Sequence, residues 1–227
     1  MRILAIDTAS SGASAAIADE RGILASFALN TGKPHSPDFL PMVEAMLRHA
    51  DAPLKDMSAL AVTVGPGSFT GLRIGLATVK AWGQALDLPI VPVTTLRALA
   101  CAADAQGLIC PVLNAKKDEV YCSLFNGREQ IWPDLALPPL RLAEDLAALD
   151  KEITFIGDGW PLYQALFTDK LSDKAKSVAR ERLLFMAPAA AVLAGEEFLA
   201  GRFVSAAELE PLYLRLCEAE ARKLEKV

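Results

Sequence analysis

The chain has 227 residues, 52% of them hydrophobic and 22% charged, with a formal net charge of −5. That balance supplies a sizeable core, excludes a disordered chain, and fits one large domain or two small lobes. It also speaks against unaided tRNA or DNA binding, because phosphate contact needs clustered Lys and Arg; the one basic cluster, the C-terminal ARKLEKV, reads as a solvated tail.

Residues 2–29 predict three antiparallel strands: the apolar RILAID, the small alternating SSGASAAIADE, and GILASFALN after a turn at Glu20-Arg21-Gly22. The apolar run ahead of Asp7 is too short for a signal peptide, and no run reaches the ~18 apolar residues of a membrane span. Asp7 ends the first strand. It either opens the hairpin through an Asx-turn or contacts a phosphate or the metal on it. Residues 36–50 predict a helix, with Phe39, Met42, Val43, Met46, Leu47 and Ala50 in the i, i+3, i+4, i+7 pattern. That stripe is core or, through its two methionines, an adaptable protein-binding face. His35 and His49 do not stand at metal-ligand spacing.

A strand at 59–65 leads through GPGSFTG into a helix from about 70 to 86. A short strand, Pro89–Val93, precedes a helix over Thr94–Ala103, capped by Thr94 or Thr95. Strands at 108–113 and 119–125 flank NAKKD, and Asn126-Gly127 is a hairpin turn into Glu129–Trp132. Prolines 133, 138 and 139 mark a surface loop. A helix at 142–149, a strand at 153–156, a GDGW turn and a helix at 161–167 follow. An Ala-rich helix spans 183–200 with Pro188 in its first half, and LEPLYLR is an extended segment running into a final helix. The order predicts an α/β protein of two lobes, 1–106 and 107–227. Cysteines 101, 110, 122 and 217 show no CxxC spacing and are expected as reduced thiols in the cytoplasm, without metal.

The helix at 70–86 is unusual, because its only charges are Arg73 and Lys80. At about 100° per residue, Leu72, Gly75, Val79, Trp82 and Leu86 share one side, fit for the chain's own sheet. Arg73, Ala77, Lys80 and Gln84 share the other, flanked by Thr70, Leu76 and Ala81. A helix this apolar all round is covered on both sides, and the second cover is expected to be another protein. Its leading loop lacks the Gly-Lys-Ser/Thr of a Walker A sequence and is not GxGxxG. Two readings stand. Gly65, Gly67 and Ser68, with Asp7, hold an anion at the helix start, or the loop is a tight turn that seats the helix against its strand, a closeness that Gly71, Gly75 and Gly83 extend.

ILAIDTA, GPGSFTGLRIGLATVKAWGQAL, VPVTTLRALA, the GDG at 157–159 and EPLYLR together resemble the TsaB (YeaZ) family over essentially the whole chain, and GPGSFTGLRIG is the specific block. The resemblance implies an actin-like, Hsp70-like (ASKHA) two-lobe fold with mixed sheets flanked by helices. It implies work in forming threonylcarbamoyladenosine on tRNA as a cytoplasmic, non-catalytic subunit. The implied partner is the sister protein TsaD, which carries the metal, nucleotide and transferase chemistry. A TsaE-like ATPase joins the pair, tRNA is met only through the complex, and the chain alone forms homodimers. No ATP, metal or catalytic residue is expected in this chain. The implied interface is made by the first two helices. It takes Phe39, Met42, Val43, Met46 and Leu47 from one, and Thr70, Arg73, Leu76, Ala77, Lys80, Ala81 and Gln84 from the other.

TsaD carries a His-x-x-x-His metal pair on the helix comparable to VPVTTLRALA. Here Thr95 and Leu99 stand in those places, and neither is a metal ligand. Where the sister has a glycine-rich adenosine loop, FIGDGWPLY has two glycines beside Trp160, so an empty nucleotide cleft is expected. Two further readings remain. An ATP-using phosphotransferase of the same broad fold would rest on Asp7 and GPGSFTG. A metallopeptidase, the older label of relatives, would need a metal site or a nucleophile–base pair that the residues do not present.

Overall fold

The structure, a computed structural model, describes residues 1–10, 12–30 and 36–214. His35, Cys217, the basic ARKLEKV and the expected final helix lie outside the described residues. The first sheet contains β1 (Arg2–Asp7), β2 (Ala13–Asp19), β3 (Gly22–Leu29), β4 (Ala59–Thr63) and β5 (Ile90–Val93), in the order β3-β2-β1-β4-β5. β1, β2 and β3 form an antiparallel meander, and β4 and β5 add in parallel beside β1.

Side-chain alternation in these strands divides the core. Leu4, Ile6, Ile17, Leu60 and Val62 join one buried cluster with α1 (Ser36–His49) and α2 (Phe69–Leu86). Ile3, Ala5, Ala16, Ala61 and Val91 join another with α3 (Thr95–Ala103) and α6 (Met186–Leu199). Both sides of the sheet are therefore covered, which explains why its central strands read as apolar runs rather than as alternating ones.

The second sheet repeats the plan with β6 (Leu108–Lys116), β7 (Glu119–Asn126), β8 (Glu129–Leu137), β9 (Ile153–Ile156) and β10 (Ala175–Ser177), ordered β10-β9-β6-β7-β8. Its outer side packs Cys110, Val112, Cys122, Leu124 and Phe155 under α4 (Pro139–Ala147) and α5 (Trp160–Leu171). Its inner side sends Ile109, Phe125 and Ile156 into the cluster that holds α3 and α6. Two mixed sheets of one strand order, with α3 and α6 between them, give the two-lobe architecture that the resemblance implies.

Several local expectations change. α6 begins at Met186, so Pro188 falls in the first turn, where its missing N–H costs no helical hydrogen bond. Pro133 lies inside β8, an edge strand that tolerates a missing donor, while Pro138 and Pro139 cap and open α4. β10 is a three-residue strand with no sequence signal of its own. Residues 186–212 return to the first sheet. α6 packs there, with Ala187 N donating to Ser14 Oγ at 3.1 Å, and Val204 bridges Ile90 at the edge of β5. No helix among the described residues is long and apolar enough to cross a membrane.

Candidate functional site

α2 is seated by its first turn. Ser68 caps it, its side chain accepting from Gly71 N at 3.2 Å. Thr8 Oγ1 donates to Gly71 O at 2.7 Å, and Ser68 N donates to Ala9 O at 2.8 Å. This approach is so close that a Cβ on Gly71 would overlap the Thr8 carbonyl oxygen and stand 3.1 Å from its carbon. The glycines thus let the helix lie directly on the loop that follows β1.

Along α2 the buried residues are Gly71, Leu72, Gly75, Leu76, Val79 and Gly83. Thr70, Arg73, Ala77, Ala81, Gln84 and Ala85 are exposed, Lys80 is half-buried, and the Arg73 guanidinium lies 3.9 Å over the Phe69 ring. The outward face is bare in the protomer: small apolar side chains in its middle and polar ones along its margins. Two assignments move. Leu76 belongs to the core rather than to the outward face, and Leu86, expected against the sheet, is exposed. Trp82 is only half-buried.

α1 differs more from expectation. Phe39, Met42, Val43 and Met46 are buried, because the helix lays its stripe on Ala25, Phe27 and Leu29 of β3. These four residues are core in the protomer. Leu47 is half-buried, and the exposed apolar residue of this helix is Leu40, which the helical periodicity does not single out.

The glycine loop lies beside a second feature, a cleft of about 550 Å³ between the lobes. Gly67, Ser68 and Ser10 line it from the first lobe, and Asn114, Lys116 and Asp158 from the second. Asp7 does not line it. Its buried carboxylate accepts from Thr63 Oγ1 at 2.6 Å, Ser10 Oγ at 2.7 Å and Ala9 N at 3.1 Å, an Asx-turn that also ties β1 to β4. Gly65 is likewise structural. Its φ is +121°, Thr95 N donates to its oxygen at 2.8 Å, and a Cβ there would overlap the Leu212 carbonyl. Of the four residues expected to hold an anion, only Gly67 and Ser68 reach the cleft. The Ser68 amide already donates to Ala9 O, and its hydroxyl caps α2.

The family model described as TsaD, tRNA N6-adenosine threonylcarbamoyltransferase, matches residues 22–223. A Bacillus subtilis protein named tRNA threonylcarbamoyladenosine biosynthesis protein TsaB is 34% identical over 99% of this chain and 99% of its own length. The Escherichia coli protein of the same name is 32% identical over 95% of each. This chain belongs to the TsaB family. A solved structure of YeaZ, as TsaB is also called, from Pseudomonas aeruginosa superposes with a TM-score of 0.76. It is 28% identical and covers 94% of this chain and 99% of its own. A ROK hexokinase from Thermus thermophilus, at 12% identity and a TM-score of 0.54, shares the fold, which is the actin-like class.

Where the TsaB resemblance sets this chain apart from TsaD, Thr95 and Leu99 are fully buried in the cluster between the sheets or at its margin, and neither presents an imidazole. Among the described residues no three His, Cys, Asp or Glu side chains gather in a way that could hold a metal ion. Burial raises the Asp158 carboxyl above the usual range, against the pull of Lys116 and Arg180. It also raises Asp134, whose Oδ1 accepts from Gln130 at 2.8 Å. The Cys122 thiol is pushed up to about 12 by burial. Buried cysteines of this kind are poor nucleophiles and poor ligands.

Proposed function

We propose that this TsaB-family chain is a non-catalytic scaffold in the assembly that forms threonylcarbamoyladenosine on tRNA, and that it binds a TsaD-like catalytic subunit through the outward face of α2. The observation that carries the reading is the bare strip of Thr70, Arg73, Ala77, Ala81 and Gln84 on a helix whose other side is sealed in the core. Small residues in its middle let another helix approach closely, and Arg73, Lys80 and Gln84 supply a polar margin. A standard interface buries about 1,200–2,000 Å² in total, more than this strip offers, so the contact extends to neighbouring surface such as Leu40 and Leu47. Nucleotide and metal are assigned to the catalytic subunit, a TsaE-like ATPase joins the pair, and tRNA is reached only through the complex. The family's name and the absence of an imidazole at Thr95 and Leu99 support this division. In a cytoplasm lacking the partner, the same apolar strip pairs two copies of this chain.

The test is co-purification of this chain with the TsaD of its own organism, followed by tRNA modification assays with and without it. Ala77→Arg and Ala81→Glu should abolish the complex while leaving circular dichroism unchanged. Normal complex formation by both variants defeats the proposal. A second reading, an ATP-binding phosphotransferase, is favoured by the cleft between the lobes. Micromolar binding of Mg-ATP to the isolated chain by calorimetry would support it.

A further inference from the structure

The outward strip of α2 is too small to be a whole interface. Its 18 residues rise ~27 Å, and at a helix width of ~10 Å the strip covers about 270 Å², a third of the ~800 Å² per partner in a standard contact. One neighbouring surface is concave and shares residues with the strip. It is a groove of about 850 Å³ beside the C-terminal half of α2, lined on that side by Lys80 and Gln84. The segment after α6 supplies another wall, where Phe203 stays 47% exposed.

The walls are fixed. Val204 N donates to Ile90 O at 2.8 Å and Ile90 N donates to Val204 O at 2.9 Å, which ties the segment to the edge of β5. Ser205 Oγ donates to Glu208 Oε2 at 2.7 Å, and Ser205 N donates to the same oxygen at 2.9 Å. These bonds close the turn after Val204 and leave the other oxygen of Glu208 for a cation. Asp87 lines the groove too, as the left-handed residue that ends α2 at a φ of 53°. A helix C-terminus attracts positive charge, yet α2 has no basic residue in its last turn. With Asp87 and Glu208 against Lys80, the lining is net negative.

We infer that this groove receives Arg73 of a second copy of this chain, in an antiparallel pair of α2 helices. The inference rests on the reading that α2 is the docking face. Pairing about Ala77 sets Arg73 of each copy beside Ala81 of the other, ~9 Å along the helix from Asp87. Helix side chains lean toward their own N-terminus, which in an antiparallel pair is toward the C-terminus of the other helix. The arginine therefore leans into the groove. There its guanidinium exchanges the Phe69 ring that it covers in the protomer for the exposed Phe203 ring, and it meets the Asp87 and Glu208 carboxylates. A base in the first half of the strip and acids at its far end are the arrangement that a two-fold antiparallel pair satisfies twice. An acidic side chain entering the groove would meet like charge.

The full chain is followed by sedimentation equilibrium, with circular dichroism as the check on folding. Arg73→Glu and Glu208→Lys should each weaken the dimer at least about 100-fold, through two symmetry-related charge-assisted contacts of about tenfold each. Mixing the two variants should restore a dimer of parental strength, because both contacts then join opposite charges again. Asp87→Lys takes the place of Glu208→Lys if that change disturbs the turn at Ser205. A parent chain that stays monomeric at ~100 μM overturns the inference. So does an Arg73→Glu chain that pairs like the parent, or a mixture of the two variants that stays monomeric. Ala77→Arg separates this contact from the docking reading: loss of the pair with Ala77→Arg but not with Arg73→Glu keeps α2 as the docking face and removes only the groove contact. If Arg73→Glu and Glu208→Lys weaken binding of a TsaD-like subunit and leave the homodimer unchanged, the groove belongs to that subunit and the inference fails.

Discussion

Gly71→Ala is the sharpest test of how α2 is seated. In an exposed helix interior this change stabilises by roughly 0.5–1 kcal/mol, because alanine loses less freedom on folding. Here the added Cβ would overlap the Thr8 carbonyl oxygen and come within 3.1 Å of its carbon and 3.3 Å of Ser68 Cβ. Both neighbours are backbone or anchored by it, so neither can rotate aside, and the first turn of α2 must move outward. That movement breaks Thr8 Oγ1 to Gly71 O, at 2.7 Å, and Ser68 N to Ala9 O, at 2.8 Å. Two buried or half-buried hydrogen bonds at about 1–1.5 kcal/mol each, less the propensity gain, give a net loss of roughly 2 kcal/mol. Loosened packing around Leu72 adds to that loss. Urea unfolding followed by circular dichroism reads it as a lower midpoint at unchanged slope. A Gly71→Ala chain as stable as the parent, or more so, would refute the close seat and restore the loop as a candidate anion cradle.

Phe39→Ala should cost ~3–5 kcal/mol, as for a fully buried aromatic, and Trp82→Ala only ~2 kcal/mol because its ring is half-buried; equal losses in thermal or urea melts would contradict that ranking. Burial lifts Asp134 and Asp158 above 3.8, so between that value and their folded pKa the native chain keeps protons that the unfolded chain has released. Stability from these groups is full below the unfolded pKa and is lost as pH rises through the folded one. Asp134→Asn should therefore gain on the parent as pH rises from 4 to 7, and a constant difference in urea midpoint over that range tells against the buried-carboxyl account. With Cys122 pushed up to about 12 and Cys110 also raised well above the ordinary thiol value by burial, a Cys101→Ser, Cys217→Ser chain should not react with Ellman's reagent at pH 8 until denatured. Fast labelling of the native protein would show that one of those thiols is open.

The elements were legible wherever local chemistry decides them. The three opening strands, a threonine cap ahead of α3 (Thr94, of the two candidates) and the Asn126-Gly127 turn stand where their residues place them. Legibility ended where the cover of a face depends on distant chain. The methionine stripe of α1 has the same spacing whether it meets β3 or a partner, and only the fold shows that β3 takes it. Leu76 and Leu86 exchange roles because α2 leans on its glycine side, a tilt set by Thr8 and Ala9 rather than by helical period. The Ala-rich helix read at 183–200 carries no sign in the sequence of which faces cover it, and it lies between the two sheets.

The tail segment gives the fold an order of completion. Leu212 N donates to Val64 O, Leu209 is buried with α1 and α2, and Tyr213 packs on Phe69 at 5.4 Å. Residues 209–213 thus lock a turn that is made well before them. A nascent chain still short of residue 213 holds α2 in a half-built socket.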